Sequence, residues 1–205
     1  MPYNNTHNIL FIHIPKSAGT SVLKMFNMSE KEGHISWEKY KNLDENIYQN
    51  AYKFAIVRNP WDKFVSCYEY VKMDKSYWHS IDGESIYGKH PDYDLTNKYD
   101  NFNDFVKFLS EIKEPHLPLK SVNWSYQYQW VCDNGIGVKI DTLYRFEHMD
   151  YMINDLNEKF NFQFELPHIN KSNNKDYRKY YNDNSIEFVN KIYKRDIELF
   201  NYKFD

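Results

Sequence analysis

The amino-acid sequence predicts an α/β fold, a P-loop-like parallel β-sheet flanked by helices, and three observations support this class. Residues 8–14 and 53–57 are short, nearly continuous apolar segments, the composition of strands buried on both faces. Each is followed by a polar loop and then by a stretch with helical spacing of apolar residues. Strand–loop–helix units repeated in this way are typical of parallel sheets. The chain of 205 residues is long enough for a sizeable core, and we predict a single domain over residues 1–205.

The elements follow in order from apolar spacing and from helix start and stop signals. We expect strands at 8–14, 53–57 and 142–146, and helices at 20–26, from residue 60, at 101–113, at 121–133, at 150–160 and near the C-terminus. The last helix is predicted to start at Asn184, with Glu187 completing a capping pair. Residues 74–100 show no periodicity, so we predict a long loop or insertion there.

Composition narrows the classes of protein that this chain can be. A net charge of −3 and a sequence pI of about 6.2 give no basic excess, so we expect no nucleic-acid partner. Mean hydropathy is −0.82, and no apolar run approaches the roughly 18 residues of a membrane span. Residues 1–5 lack the regions of a secretory signal, so we predict a soluble, cytoplasmic protein. Cys67 and Cys132 are too few for a disulfide framework or a Cys-rich zinc site.

The loop between the first strand and the first helix has the composition of a phosphate-binding loop. It reads His-Ile-Pro-Lys-Ser-Ala-Gly-Thr-Ser over residues 13–21 and ends at a predicted helix start, where main-chain N–H groups are unpaired. Gly19 would allow close approach of the backbone, Thr20 and Ser21 add donors, and Lys16 adds a full charge. The loop is not a Walker A motif, because its lysine precedes the glycine. The alternative is an ordinary turn with a Ser/Thr cap.

A second candidate anion site follows the second strand. Arg58 is predicted at the C-terminal edge of the sheet, where open α/β sheets bind ligands. Ser66 lies in the following helix, outside its apolar stripe of Trp61, Phe64, Val65 and Tyr68. An arginine and a serine there could bind a second phosphate. The alternative is a salt-bridged arginine and a solvent-facing serine.

Together the two segments resemble the 3′-phosphoadenosine 5′-phosphosulfate (PAPS)-dependent sulfotransferases, most closely the carbohydrate group that includes heparan sulfate 2-O-sulfotransferase and its short bacterial and viral relatives. The resemblance implies a sulfotransferase fold in which a Pro-Lys-x-x-Gly-Thr-Ser loop holds the 5′-phosphosulfate. Here that loop comprises Pro15, Lys16, Ser17, Ala18, Gly19, Thr20 and Ser21. An Arg-x-Pro-x-x-x-x-x-Ser segment, Arg58–Ser66, would hold the 3′-phosphate. The chain departs from the pattern at Lys63, where relatives often carry a second arginine.

The resemblance also implies the chemistry. His34 follows Gly33 as in the family's Gly-His element, whose histidine is the proposed base towards the acceptor hydroxyl. A histidine pKa near 6.5 suits this role, and the alternative is a surface histidine. Lys16 would stabilise the departing 5′-phosphate, 3′,5′-adenosine bisphosphate would be the product, and no metal is required. Lys171 and Ser172 would close over the nucleotide, the alternative being a solvated loop.

The acceptor and two competing functions stay open. Residues 74–100 hold six acidic and three basic residues among several tyrosines, which fits a neutral or lightly charged sugar better than a sulfated one. A glycan hydroxyl is therefore favoured over a lipid, a small alcohol or a tyrosine, although the segment could also be a packing loop. One alternative is a P-loop kinase or NTPase, which would need a Mg²⁺-binding carboxylate. The other is a non-catalytic nucleotide- or glycan-binding module.

Overall fold

The structure is a computed structural model that describes residues 2–29, 34–76, 78–114, 118–134, 137–165 and 176–205. In chain order its elements are β1 (Tyr3–Asn4), β2 (Ile9–Ile12), α1 (Gly19–Met25), α2 (Trp37–Leu43), α3 (Glu45–Asn50), β3 (Tyr52–Val57), α4 (Pro60–Lys72), α5 (Tyr93–Thr96), α6 (Phe102–Glu111), α7 (Tyr128–Val131), β4 (Cys132–Asp133), β5 (Gly137–Val138), β6 (Thr142–Arg145), α8 (Met149–Phe160), α9 (Asp183–Ile192) and α10 (Lys194–Leu199). Short 3₁₀ turns cover Val122–Trp124, Phe146–His148 and Tyr177–Tyr180.

The contacts within the chain divide it into two compact units. The first unit comprises Met1–Asn59 and Tyr126–Asn173, and the second comprises Pro60–Ser125 and Asn174–Asp205. The first unit contains the strands together with α1, α2, α3, α7 and α8, and the second is helical.

The sheet of the first unit confirms the predicted parallel strands. The spatial order is β1–β2–β3–β6, in which β2, β3 and β6 are parallel and β1 pairs antiparallel with β2. All four residues of β2 are fully buried, as expected for a parallel strand covered on both faces. Because parallel strands end at the same edge, the residues that follow β2, β3 and β6 share one edge of the sheet.

One face of this sheet packs against α1 and α8. The rings of Phe11 in β2 and Phe54 in β3 lie 5.0 Å apart, centroid to centroid, at the centre of this core. Leu23 from α1 and Leu156 from α8 are buried in the same cluster. Burial of each such side chain contributes about 1.5–3 kcal/mol. The strand ends that carry the candidate site therefore extend from a packed core.

The second unit is built around α4, whose predicted apolar stripe is buried as expected. The ring of Phe64 lies 5.1 Å from that of Trp124 and 6.2 Å from that of Phe188 in α9. Lys63, on the same helix, is also buried, and its Nζ donates to the carbonyl of Asn123 at 2.7 Å and to that of Ser125 at 3.0 Å. Lys63, the position at which the chain departs from the resemblance, thus binds main-chain carbonyls of its own unit.

The segment at 74–100 is irregular, as predicted. Apart from α5 and an isolated bridge between Lys75 and Ser80, its described residues form turns and bends. Asp92 lies within it, is buried, and accepts hydrogen bonds from the main-chain N–H groups of Lys120 and Ser121. A buried carboxylate that accepts several N–H donors ties this segment to the chain that precedes the 3₁₀ turn at Val122–Trp124.

One predicted helix is wrong in the structure, and a second is present with a different start and an interruption. The helix expected at 121–133 is a 3₁₀ turn at Val122–Trp124, the single helical turn α7 and the start of β4. The apolar residues of this segment belong to separate short elements, each buried on its own, and do not form one face of a helix. The C-terminal helix is divided into α9 and α10, and its cap is Asn182 with Ser185 instead of Asn184 with Glu187.

Candidate active site

The loop between β2 and α1 has a left-handed backbone at two residues that are not glycine. Lys16 has φ of 65° and Ala18 has φ of 60°. A non-glycine residue in this region costs about 1–2 kcal/mol, and such strain is concentrated at functional sites. Ala18 is the N-cap of α1, and its carbonyl accepts from the N–H groups of Ser21 and Val22. The predicted anion loop is therefore a tight turn held in an unfavourable conformation.

Ser17, in the middle of this loop, is 1% exposed, and its Oγ has no hydrogen-bond partner among the described residues. A buried hydroxyl without a partner costs about 1–3 kcal/mol, so native proteins rarely leave one. A ligand oxygen would satisfy it. The residues of this loop consequently fit an oxygen-rich anion such as a phosphosulfate.

Gly19 is required by the His13 ring. A Cβ placed on Gly19 would lie 1.6 Å from Nε2 of His13, a distance that no side chain can occupy. The loop sequence predicts that Gly19 allows close approach of the backbone to a ligand. The structure adds a different close approach, that of an imidazole against the start of α1.

His34 is half-buried and points one nitrogen at the main chain. Its Nδ1 lies 3.0 Å from the carbonyl oxygen of His13, and because a carbonyl can only accept, Nδ1 is the donor. In the neutral ring the lone pair is then on Nε2. The His34 ring lies 4.2 Å from that of His13 and 5.9 Å from that of Trp130, centroid to centroid. This orientation gives His34 the tautomer of a base that acts through Nε2.

The surroundings of His13 lower its pKa. Burial lowers the pKa of His13 well below 6.5, and the nearby charges of His34 and Lys16 lower it further. His13 is consequently neutral at pH 7. Its ring packs against Phe11, with centroids 5.6 Å apart.

Arg58, directly after β3, contacts the loop that follows β2. Its Nη1 donates to the carbonyl of Lys16 at 3.0 Å, and its guanidinium lies 4.2 Å from the centre of the Phe146 ring. Gln127 holds its main chain: Oε1 accepts from the Arg58 N–H and Nε2 donates to the Arg58 carbonyl, both at 2.8 Å. The structure therefore places Arg58 against the predicted anion loop at one edge of the sheet.

Three of these contacting residues were not predicted as site residues. His13 lies two residues before the Pro15–Ser21 motif and Phe146 at the end of the third predicted strand, so their positions at strand ends were the signal that could have found them. Gln127 lies in the helix wrongly predicted at 121–133, and nothing local in its sequence indicates a role. Glu147, whose Oε1 accepts from the N–H of Asn59 at 2.6 Å, also belongs to this edge.

The remaining predicted site residues have different placements. Pro15 is buried, whereas Thr20 and Ser21 in the first turn of α1 are half-buried. Ser66 lies in α4, within the second unit, and is half-buried there. Lys171 and Ser172 lie outside the described residues.

The described residues also bear on metal binding and on membrane insertion. Within the described ranges, no group of three or more His, Cys, Asp or Glu side chains is arranged to hold a metal ion. No helix in the same ranges is both long enough and apolar enough to cross a membrane.

A strained loop with a lysine and a buried hydroxyl, bonded to an arginine from the next parallel strand, is suited to a ligand with several anionic groups. Residues 2–203 match a family described as the sulfotransferase family. The chain therefore belongs to the sulfotransferase family, whose members are enzymes that transfer sulfate. Its mixed α/β fold, with parallel strands flanked by helices, is consistent with that family. Neither curated proteins nor solved structures gave a match.

Proposed function

We propose that this protein transfers a sulfuryl group from PAPS to an acceptor hydroxyl. The observation that carries the proposal is the hydrogen bond from Arg58 to the carbonyl of Lys16, which joins two cationic segments at one edge of the sheet. PAPS has anionic groups at both its 3′ and 5′ positions, so a site for it needs a cationic group for each. The buried hydroxyl of Ser17 supports an oxygen-rich ligand at the loop.

When bound, PAPS supplies an activated sulfuryl group on the bridging oxygen of its phosphosulfate. Lys16 and the loop from Pro15 to Ser21 would bind the 5′ end in a P-loop-like manner. Arg58 would bind the 3′-phosphate together with Ser66, and Lys171 and Ser172 are the further residues that the resemblance assigns to nucleotide binding. The arginine fork favours this role because it matches phosphate geometry.

His34 would remove the proton from the acceptor. The acceptor oxygen forms a bond to sulfur as the bond from sulfur to the bridging oxygen breaks, and the electron pair of that bond stays on the 5′-phosphate. The acceptor proton moves to Nε2 of His34, the nitrogen that carries the lone pair. Lys16 offsets the charge that grows on the leaving phosphate. These reaction steps require no metal ion.

A glycan hydroxyl is the acceptor we propose. The irregular segment at 74–100 supports it, because it contains the stacked Trp78 and Tyr87 rings, 5.3 Å apart, and six acidic residues, whose charges would disfavour a sulfated chain. Sugars pack their apolar faces on aromatic rings, whereas a highly anionic glycan would need a basic surface.

Calorimetric titration tests the donor. The ligands are 3′,5′-adenosine bisphosphate, ADP and ATP, each with EDTA and then with Mg²⁺. We expect tight, metal-independent binding of the bisphosphate. Preference for ATP with Mg²⁺ would instead identify a kinase or NTPase. Binding of the bisphosphate without turnover of PAPS on any acceptor in a glycan panel would favour a non-catalytic module.

A further inference from the structure

Gln127 carries an unusual pair of contacts for a buried amide. It is fully buried, and both ends of its side-chain amide bond the main chain of a single residue, Arg58. An amide that donates to a carbonyl and accepts from the N–H of the same residue acts as a neighbouring strand would. Pairing of β3 with β6 ends at Val57 opposite Arg145, so Gln127 continues the pairing one residue further.

The side chain of Arg58 depends on where this main chain lies. The guanidinium stacks on Phe146 at 4.2 Å and donates to the carbonyl of Lys16 at 3.0 Å. Both contacts have short reach, and a shift of about 1 Å in a binding group is enough to lose much of its effect. An arginine directly after the last paired residue of a strand otherwise has a flexible side chain.

Burying an amide at this position has a cost. An unpaired amide in the interior costs about 1–3 kcal/mol, whereas an apolar side chain of the same size has no such requirement. The side-chain amide of Gln127 is bonded to the residue that follows β3. A buried amide at this position has a purpose if the position of the Arg58 main chain matters for binding of the nucleotide.

We infer that Gln127 is a positioning residue that sets the angle of Arg58 and thereby the preference for nucleotides with a 3′-phosphate. The inference rests on the proposed function, in which Arg58 binds that phosphate. In this role Gln127 makes no contact with the nucleotide. It acts through the main chain of Arg58.

The test measures the affinity ratio between 3′,5′-adenosine bisphosphate and 5′-AMP by calorimetry. In Gln127→Leu, which keeps the volume and removes both hydrogen bonds, we expect the ratio to fall at least about tenfold, with the affinity for 5′-AMP changed less than about threefold. An unchanged ratio, or a parallel loss of affinity for both nucleotides, would overturn the inference.

Asn157 provides a matched control. Its amide accepts from the N–H of Phe164 at 2.9 Å and donates to the carbonyl of Phe164 at 3.0 Å, the same two-bond pattern away from Arg58. Asn157→Leu should lower stability and leave the nucleotide ratio intact. A fall in the ratio in this variant as well would assign the effect to general destabilisation and overturn the role of Gln127.

Gln127→Glu keeps the test decisive if the leucine variant does not fold. A protonated carboxyl can accept from the Arg58 N–H and donate to its carbonyl, whereas a carboxylate cannot donate. We expect the ratio to be low at about pH 8 and to recover towards that of the wild type at about pH 5.5. The wild type at both pH values corrects for titration of the nucleotide and of all other groups. A ratio that does not depend on pH relative to the wild type would contradict the inference.

The two proposals fail in different ways. If the wild type does not prefer the bisphosphate to 5′-AMP, the proposed function itself is wrong. If the wild type has this preference and Gln127→Leu retains it, only the positioning role is wrong.

Discussion

At the scale of single residues, Lys16 combines a strained backbone with a charge in the proposed donor site. Lys16→Ala should lower the turnover of PAPS by about 10²–10³-fold, because it removes a cation from the growing charge on the leaving phosphate. Steady-state assays with PAPS measure the effect. Lys24→Ala, which removes an exposed lysine from α1, is the control and should retain activity. A rate near that of the wild type in Lys16→Ala would exclude Lys16 from the chemistry.

His34 is proposed to act in proton transfer and not in nucleotide binding. His34→Ala should reduce turnover by about 10²–10⁴-fold and leave the affinity for 3′,5′-adenosine bisphosphate unchanged. Parallel assays of rate and of calorimetric affinity separate the two effects. His148→Ala, at an exposed histidine, serves as the control. Equal losses of rate and of affinity would mean that His34 has a structural role.

Gly19 is predicted to be irreplaceable because of a contact within the protein. In Gly19→Ala the new methyl group would meet His13 Nε2 at 1.6 Å, and we expect a loss of about 1–3 kcal/mol in the free energy of unfolding. Urea denaturation provides the measurement. The double variant Gly19→Ala/His13→Ala should recover part of this loss. Gly137→Ala should be nearly neutral, since a Cβ there meets nothing within 4 Å. Equal stability of the two single alanine variants would refute the contact.

At the scale of elements, the corrected start of α9 makes a prediction about capping. The Asn182 side chain accepts from the N–H of Ser185 at 3.0 Å, and the Ser185 Oγ accepts from the Asn182 N–H at 2.9 Å. Asn182→Ala should therefore lower the free energy of unfolding by about 1 kcal/mol. Asn184→Ala, at an exposed position inside the helix, should have little effect. If Asn184→Ala lowered the unfolding temperature more than Asn182→Ala does, the cap at Asn184 that the sequence pattern predicts would be correct.

The elements that were predictable are those that local pattern determines. Every residue of β2 is apolar and buried, and the loop at 15–21 is continuous in sequence, so a motif could identify it. Gln127 could not be found in this way, because its partner Arg58 is 69 residues distant. The prediction of a helix at 121–133 was wrong for a related reason. Trp124 and Trp130 have the spacing of residues on one helical face, but they are buried in different units.

At the scale of the whole molecule, the sequence pattern predicted α4 and α6 of the helical second unit but placed the start of its C-terminal helix wrongly. The core of this unit is aromatic, with Phe64 at its centre. Aromatic rings pack equally well from helices and from irregular segments, so their positions in the sequence do not distinguish the two. The sheet of the first unit was easier, because parallel strands need continuous apolar runs that few other structures use. The loop at 15–21 and Arg58 could be proposed as site residues from the sequence, whereas the contact between them required the fold.

The pH dependence of stability follows from His13. Its pKa is held below 6.5 in the folded protein, so below that pH the unfolded chain binds more protons, and the free energy of unfolding falls as the pH falls towards the folded pKa. One group of this kind contributes at most about 1.4 kcal/mol per pH unit. The contribution is fully present above pH 6.5.

Replacing the histidine isolates this contribution from those of other groups. In His13→Gln, urea denaturation should show a decrease between about pH 7.5 and 5.5 that is smaller than that of the wild type by up to about 1.4 kcal/mol. His79, whose pKa is also lowered by burial, is present in both proteins and cancels in the comparison. A decrease of the same size in both proteins would mean that the His13 ring titrates as it does in the unfolded chain, and its packing against Gly19 and His34 would then have no electrostatic consequence.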